Sequence, residues 1–186
     1  MDSRLGWIFV ALASLMGLVN AVLYRQNDHY RTELTRLRER ESLAWLPTVG
    51  AKRKPLVGTS PQGEEISLQF GKDEPRRLIL VFSTTCPNCD TNWPNWERLL
   101  ERLPNDGPTA MPVTLWISGD VPSDYRKKHG LDRFLLLRAN PDTIEDYRLN
   151  FVPETLLIDR DGTVLFASSG LLTEGQTQTI LRLVNS

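Results

Sequence analysis

Residues 78–93 read LILVFSTTCPNCDTNW, and this stretch decides the fold. Its first six residues are almost wholly apolar, which is typical of a strand buried on both faces. Apolar residues at helical spacing then continue from Trp93 to Leu103, so a helix is predicted there. Cys86 and Cys89 therefore sit where a buried strand ends and a helix begins, and they are the only two cysteines in the chain.

The position of the two cysteines predicts a redox couple. The first backbone N–H groups of a helix have no partner and its macrodipole is positive there, so a thiolate is stabilised over a thiol. Cysteines in this setting have pKa values of about 3.5–7.5, against about 8.5 for a free cysteine. Pro87 suits the first helical position, because its missing N–H would have no partner anyway. We expect Cys86 to be the exposed attacking sulfur and Cys89, one turn further, the buried resolving one.

Two other uses of such a cysteine pair are less favoured by the sequence. A structural zinc site needs four ligands, and the chain has no second Cys-x-x-Cys, while His29 and His129 are distant in sequence. A purely structural disulfide would close so short a loop that it would restrain the unfolded chain little. The sequence therefore predicts neither a metal site nor a bound cofactor.

The composition and charge limit the class of protein. The chain has 186 residues, with 22 basic and 23 acidic side chains and a net charge of −1. This length suits one domain with attachments. The near balance of charge argues against a nucleic-acid partner, which a basic patch and a high pI would indicate.

The N-terminal region predicts a membrane segment. After a short tail at residues 1–4, residues 5–24 carry no charge, and a helix of that length spans about 30 Å, the thickness of a hydrocarbon core. Trp7 and Tyr24 lie near its ends, where interfacial aromatic residues are expected. A retained transmembrane anchor is therefore predicted; a cleaved signal peptide is the alternative, with a weak cleavage motif at residues 19–21.

Residues 25–54 are predicted to be a charged juxtamembrane helix and linker, and residues 55–186 the folded domain. The linker carries a run of arginines: Arg25, Arg31, Arg36, Arg38 and Arg40. By the positive-inside rule these arginines would place the folded domain in the cytoplasm.

Strand and helix patterns alternate along the folded domain. Strands are predicted at 65–70, 78–83, 113–118, 134–137, 155–159 and 163–167, and helices at 87–103, 123–129, 142–149 and 173–184. Residues 58–63 have turn chemistry, and the Asp-Gly pair at 161–162 between two apolar runs predicts a hairpin. Pro94 should kink the first helix rather than end it. This order predicts an α/β domain with a mixed sheet, in which the cysteines occupy a strand-to-helix turn of the kind where active sites gather.

Three segments of the domain resemble the TlpA/ResA-like thioredoxin-fold oxidoreductases. They are 61–68, 78–89 with Pro94 after it, and 152–162, and the similarity runs from about Pro55 to the C-terminus. The resemblance implies a thioredoxin-like fold and thiol-disulfide exchange through Cys86 and Cys89, with Pro87 and Asn88 supporting them. It also implies a cis bond between Val152 and Pro153 that faces the cysteines, and a strand edge there that binds an extended client segment.

Two departures from that family concern proton transfer and redox tuning. The family usually has Trp before the first cysteine, where this chain has Thr85. It often has an acidic residue three places after the second cysteine, where this chain has Asn92. Asp90 is interpreted as a surface residue that the helix dipole favours. Neither the proton route nor the reduction potential is therefore carried over from the family.

The resemblance implies a membrane-tethered, extracytoplasmic reductant of specific protein disulfides, for example in cytochrome c maturation. It implies a protein thiol or disulfide client and an electron-donor protein in the membrane, and it is in tension with the arginine distribution. One alternative is a thiol peroxidase, for which Ser83 fits but Ile79 stands where proline is needed. Another is a metal-delivery or assembly factor, which usually needs a wider cysteine spacing and a histidine, and His129 has no supporting context in the sequence.

Overall fold

The computed structural model describes residues 16–17, 19–31, 33, 46–103 and 110–186. The chain divides into two compact units, Met1–Ala44 and Trp45–Ser186. In the first unit every described residue is helical. Most of the predicted anchor at 5–24, and the whole of the tail before it, lie outside the described residues. Within the described part of the chain, no helix is both long and apolar enough to cross a membrane.

One mixed sheet is the scaffold of the second unit. Its described strands are β1 (Leu56–Thr59), β2 (Glu65–Leu68), β3 (Arg76–Phe82), β4 (Ala110–Trp116), β5 (Leu135–Ala139), β6 (Glu154–Ile158) and β7 (Val164–Ser169). Their order across the sheet is β2-β1-β5-β4-β3-β6-β7. β3 pairs in parallel with β4 and antiparallel with β6. Residues 78–82 of β3 are fully buried, as their apolar run predicts.

Four α-helices connect or follow the strands in the described part of this unit. They are α1 (Pro87–Leu100), α2 (Ser123–Lys128), α3 (Pro141–Tyr147) and α4 (Glu174–Val184), and a 3₁₀ turn at Leu131–Arg133 follows α2. Asn140 caps α3 through its side chain, and Thr173 with Gln176 forms a capping box at α4. These caps satisfy backbone N–H groups that the helix itself leaves unpaired.

The side chains of β3 alternate between two apolar cores. Leu78, Leu80 and Phe82 pack with the buried face of α1 and with α4. Ile79 and Val81 pack on the opposite face of the sheet. Both faces of β3 are therefore covered. The strand ends at Phe82, and residues 83–86 lead from it to the start of α1.

Two tryptophans fix α1 on the sheet. Trp93 and Trp96 lie edge to face, with ring centroids 4.9 Å apart. Trp96 Nε1 donates a hydrogen bond of 2.8 Å to Thr155 Oγ1 on β6, and both residues are buried. Pro94 lies inside α1, which continues past it as predicted but ends at Leu100, three residues before the predicted end.

Two features differ from the sequence prediction. Gly58 and Thr59 belong to β1, so the prediction of a turn at these two residues was wrong, although a turn does follow, closed by a 3.0 Å hydrogen bond from the Gly63 N–H to Ser60 O. Residues 50–53, assigned to the linker, pair with the β6–β7 hairpin, because the Gly50 N–H donates to Val164 O at 2.8 Å. The ordered unit therefore begins before residue 55.

The close approach of β1 to β5 gives a test of this fold. A Cβ at Gly58 would lie 2.8 Å from the Arg138 carbonyl oxygen and 2.9 Å from Leu137 Cβ. We predict that Gly58→Ala lowers the free energy of unfolding by about 1–3 kcal/mol, measured by urea denaturation. Gly175→Ala is the matched control, since nothing lies within 4 Å of its Cβ position, and it should cost no stability. Equal stabilities of the two variants would contradict the pairing of β1 with β5.

Candidate active site

Cys86 stands at the N-cap of α1 in an extended conformation, with φ −100° and ψ 110°. Its N–H donates to Ser83 O at 3.2 Å, and its carbonyl accepts the N–H of Cys89 at 3.0 Å. Pro87 occupies the first helical position, as predicted, and the side chains of Pro87 and Asn88 are exposed. Both cysteines are free thiols; Cys86 is partly exposed and Cys89 is fully buried.

The Val152–Pro153 segment lies against the first cysteine. Cys86 Sγ is 3.5 Å from the Val152 carbonyl oxygen, across 66 residues of sequence. The Val152–Pro153 peptide bond is cis, which the resemblance implied. The Gly170 N–H donates to Pro153 O at 2.8 Å and so ties this segment to the end of β7. The structure thus brings Cys86, Val152 and Pro153 together.

The environment of Cys89 keeps it protonated at neutral pH. Burial raises the pKa of the Cys89 thiol to about 12, and a hydrogen bond with Cys86 and the charge of Asp90 act in the same direction. A hydrogen bond from the Ser83 backbone acts in the opposite direction and is outweighed. A buried thiol beside a partly exposed one is the arrangement that the sequence predicted for the resolving residue.

Hydroxyl groups hold the turn between β3 and α1. Ser118 Oγ donates to Ser83 Oγ at 2.8 Å, and Ser83 Oγ lies 3.0 Å from Thr85 Oγ1. Thr84 Oγ1 donates to the Asp120 carbonyl at 2.9 Å. The Ser83 hydroxyl, which the peroxidase alternative would need, is therefore engaged with neighbouring hydroxyls.

Asn92 fastens α1 to the loop after β7. It is fully buried, and its Oδ1 accepts the Leu172 N–H at 2.7 Å and the Asn95 side-chain amide at 3.1 Å. Its Nδ2 has no hydrogen-bond partner. Because an amide does not take up a proton at this place, Asn92 serves as an anchor and not as an acid.

A cluster of polar and aromatic side chains that the sequence did not predict lies beside the couple. His129 is buried and stacks on Trp93, with ring centroids 4.8 Å apart. Its Nε2 lies 3.2 Å from Asp90 Oδ1, and Lys128 Nζ lies 2.9 Å from Asp90 Oδ2. These contacts hold the pKa of Asp90 below its ordinary value, chiefly through the Lys128 hydrogen bond. Asp90 is thus tied to the end of α2, which its interpretation as a surface residue did not include.

Glu154 is the second group that sequence reasoning missed. It follows Pro153, is fully buried, and accepts the Phe151 N–H through Oε1 at 3.1 Å. Its Oε2 has no hydrogen-bond partner. Burial raises the pKa of Glu154 from an ordinary 4.5 to about 8. The only signal in the sequence was a carboxylate at the start of an otherwise apolar strand.

The metal-delivery alternative would need a group of side chains that can bind a metal ion. Among the residues that the structure describes, no three His, Cys, Asp or Glu side chains are grouped so that they could hold a metal ion.

Comparison with known proteins gives the fold. No family model matches the chain. The thiol-disulfide oxidoreductase ResA of Halalkalibacterium halodurans is 23% identical over 124 residues, which cover 66% of this chain and 69% of that protein. The thioredoxin domain of a thiol-disulfide oxidoreductase from Bacteroides vulgatus superposes with a TM-score of 0.57, at 18% identity, over 75% of this chain and 99% of that one. The second unit has a thioredoxin fold.

Two further solved structures agree with this assignment. StoA from Bacillus subtilis matches with a TM-score of 0.53 at 19% identity, over 72% of this chain and 99% of that one. A secreted Mycobacterium tuberculosis disulfide oxidoreductase homologous to E. coli DsbE matches with a TM-score of 0.53 at 16% identity, over 72% of this chain and 96% of that one. The resemblance to the TlpA/ResA-like thioredoxin-fold proteins that the sequence indicated is thereby confirmed.

The buried carboxyl group predicts a pH dependence of stability. Since the pKa of Glu154 is raised on folding, the folded protein binds more protons than the unfolded chain between about pH 4.5 and about pH 8. Its contribution to stability is therefore present in full below that window and is lost as the pH rises through it. We expect the free energy of unfolding to fall across it by up to about 1.4 kcal/mol per pH unit from this group.

Glu154→Gln should remove that slope, because glutamine keeps the acceptor for the Phe151 N–H and does not titrate. Urea denaturation at a series of pH values measures it. Glu65→Gln, at an exposed position of β2, is the control and should keep the slope of the unmodified protein. An unchanged slope in Glu154→Gln would show that the carboxyl group titrates normally in the folded state.

Proposed function

We propose that this protein is a thiol-disulfide oxidoreductase that acts through Cys86 and Cys89. One observation carries the proposal: the sulfur of a partly exposed Cys86, at the N-terminus of α1, lies against Val152 O while Cys89 is buried one turn further. The unpaired backbone N–H groups and the positive end of the helix macrodipole lie at this end of α1. The similarity to ResA supports the same activity.

The proposed reaction passes through a mixed disulfide. The Cys86 thiolate attacks one sulfur of a client disulfide; that S–S bond breaks and the other client sulfur leaves as a thiolate. Cys89 then loses its proton and attacks the Cys86 sulfur, which releases the second client thiolate. The client gains two electrons and the couple becomes a disulfide. Because the Cys89 thiol is buried with a high pKa, its deprotonation belongs to the second step and not to the resting state.

The client segment is proposed to lie along Val152 and Pro153. Proline has no N–H, so this backbone offers an acceptor at Val152 O and no competing donor at the next residue. Val152 O is already in contact with the attacking sulfur. Pro87 and Asn88 follow Cys86 directly and have exposed side chains, and they are proposed to support the exchange without taking part in bond formation.

The tether and the compartment form part of the proposal. The uncharged run at 5–24 is proposed to be a retained membrane anchor, with the thioredoxin-fold unit on the outer face of the membrane. The description of the similar Mycobacterium tuberculosis protein as secreted supports this compartment. The proposed partners are a protein client, such as one in cytochrome c maturation, and a membrane protein that returns electrons to the couple.

We predict that Cys89→Ser traps clients. Without the resolving sulfur the mixed disulfide on Cys86 persists, so adducts should accumulate and disappear on treatment with a reductant, as seen on non-reducing gels. Cys86→Ser, the matched control, should form none. If Cys89→Ser forms no adducts while Cys86 still reacts with an alkylating agent, the proposed function is wrong.

A fusion experiment tests the compartment. A reporter enzyme that is active only outside the cytoplasm, joined after Ser186, should be active, and its cytoplasm-specific counterpart should be silent. Replacing Arg25 and Arg31 by glutamine should leave this result unchanged. Activity of the cytoplasmic reporter alone would show that the arginine distribution, and not the resemblance, sets the orientation.

A further inference from the structure

Two exposed apolar side chains belong to the segments beside the redox couple. Among the residues described in the second unit, three of the larger apolar side chains are exposed: Val49, Phe151 and Leu171. Single exposed apolar residues are normal on protein surfaces and need no explanation. Phe151 and Leu171, which are 46% and 47% exposed, differ from Val49 because the contacts below bring both of their segments to Cys86.

Phe151 is held next to the attacking sulfur by its own backbone. It precedes Val152, whose carbonyl oxygen lies 3.5 Å from Cys86 Sγ. The Phe151 N–H donates to Glu154 Oε1 at 3.1 Å, and Glu154 is fully buried. A buried side chain therefore fixes the backbone of a residue whose own side chain points into solvent.

Leu171 is held in a similar way from the other strand. It follows Gly170, whose N–H donates to Pro153 O at 2.8 Å. It precedes Leu172, whose N–H donates at 2.7 Å to Oδ1 of the fully buried Asn92. Hydrogen bonds on both sides of Leu171 thus tie its backbone to the cis-proline segment and to α1.

The segments around Cys86 carry no charge. Residues 83–89, 150–153 and 168–173 contain no Asp, Glu, Lys or Arg, although 24% of the chain is charged. A charged client segment would find no oppositely charged side chain within these segments. An apolar client segment would remove apolar surface from water on both sides of the contact. The composition of the site therefore favours an uncharged, apolar client segment.

We propose that Phe151 and Leu171 determine the client specificity of the exchange. With Val152 they form an apolar patch, here named the Phe151–Leu171 patch, that binds apolar side chains next to the client cysteine. This inference rests on the proposed function and names the chemistry of its client. The two residues make and break no bond; they hold the client while the Cys86 sulfur reacts.

The test uses symmetric disulfide dimers of two short synthetic peptides, one with leucine on each side of its cysteine and the other with serine there. The reduced full chain is mixed with each dimer, and the rate constant of disulfide reduction is measured by acid quenching and mass measurement. Each value is divided by that of dithiothreitol with the same dimer. The ratio of the leucine value to the serine value then cancels any general change in the reactivity of Cys86.

For the unmodified protein we expect a leucine-to-serine ratio of about ten. Phe151→Ser combined with Leu171→Ser should bring this ratio close to one, and each single change should lower it about threefold. Phe151→Leu keeps an apolar side chain and should keep most of the preference. Val49→Ser, the matched control, removes the exposed apolar side chain that lies outside these segments, and should keep the ratio of the unmodified protein.

A ratio close to one in the unmodified protein, or an unchanged ratio in the double variant, would overturn the inference. So would sedimentation in detergent that shows a dimer of the unmodified chain and a monomer of the double variant, since a second copy would then cover the Phe151–Leu171 patch. A reduced chain that reduces neither peptide dimer, nor the small neutral 2-hydroxyethyl disulfide, would overturn the proposed function itself, so the two failures are distinguishable.

Discussion

The structure depends on the burial of β3 on both of its faces. Because residues 78–82 alternate between two apolar cores, the strand cannot shift or turn without exposing one set of side chains. The chain therefore leaves the sheet at one defined point, where hydroxyl groups hold the turn and α1 begins. The packing of Trp93 and Trp96 then fixes how α1 lies on the sheet. The partial exposure of Cys86 and the burial of Cys89 follow from this packing.

Two buried polar residues that lack a full set of hydrogen-bond partners belong to the segments around the active-site cysteines. Glu154 and Asn92 are both fully buried, and each keeps one polar atom without a hydrogen bond while the other fixes a loop. Buried polar groups of this kind cost stability, which an apolar side chain of similar size would avoid. The loops that Glu154 and Asn92 fix are those that carry Val152 and Leu172. The cost in stability is therefore associated with a fixed position of the segments around Cys86.

Most of the fold could be predicted from local pattern. The apolar run of β3, the helical spacing after Cys89 and the Asp-Gly hairpin all gave elements that the structure contains. β1 could not be predicted this way, because Gly58 and Thr59 have the composition of a turn, and the reason for the glycine is the approach of Arg138 from a strand some eighty residues later. The extension of the folded unit back to residue 50 has a similar origin, since residues 50–53 pair with the β6–β7 hairpin.

Part of the candidate site could likewise be predicted from the sequence, and part of it could not. Cys86, Cys89 and Pro87 lie within four residues, so spacing alone placed them, and the resemblance added Val152 and Pro153. The pairing of Asp90 with His129 joins residues 39 positions apart and depends on which way α2 faces, which no periodicity records. His129 has no informative neighbours in the sequence. In the structure it stacks on Trp93, in the helix that carries Cys89.

The pairing of residues 50–53 with the hairpin determines where the rest of the polypeptide joins the domain. Residues 50–53 meet β7 at Val164, the first residue of that strand. Gly170 follows the last residue of β7 and donates a hydrogen bond to Pro153, next to Val152, whose carbonyl contacts Cys86. Six residues of strand separate the two places, a distance of about 20 Å. Residues 50–53 therefore pair with the end of β7 that lies away from Cys86. A client can therefore reach Cys86 without breaking the hydrogen bonds that join residues 50–53 to the hairpin.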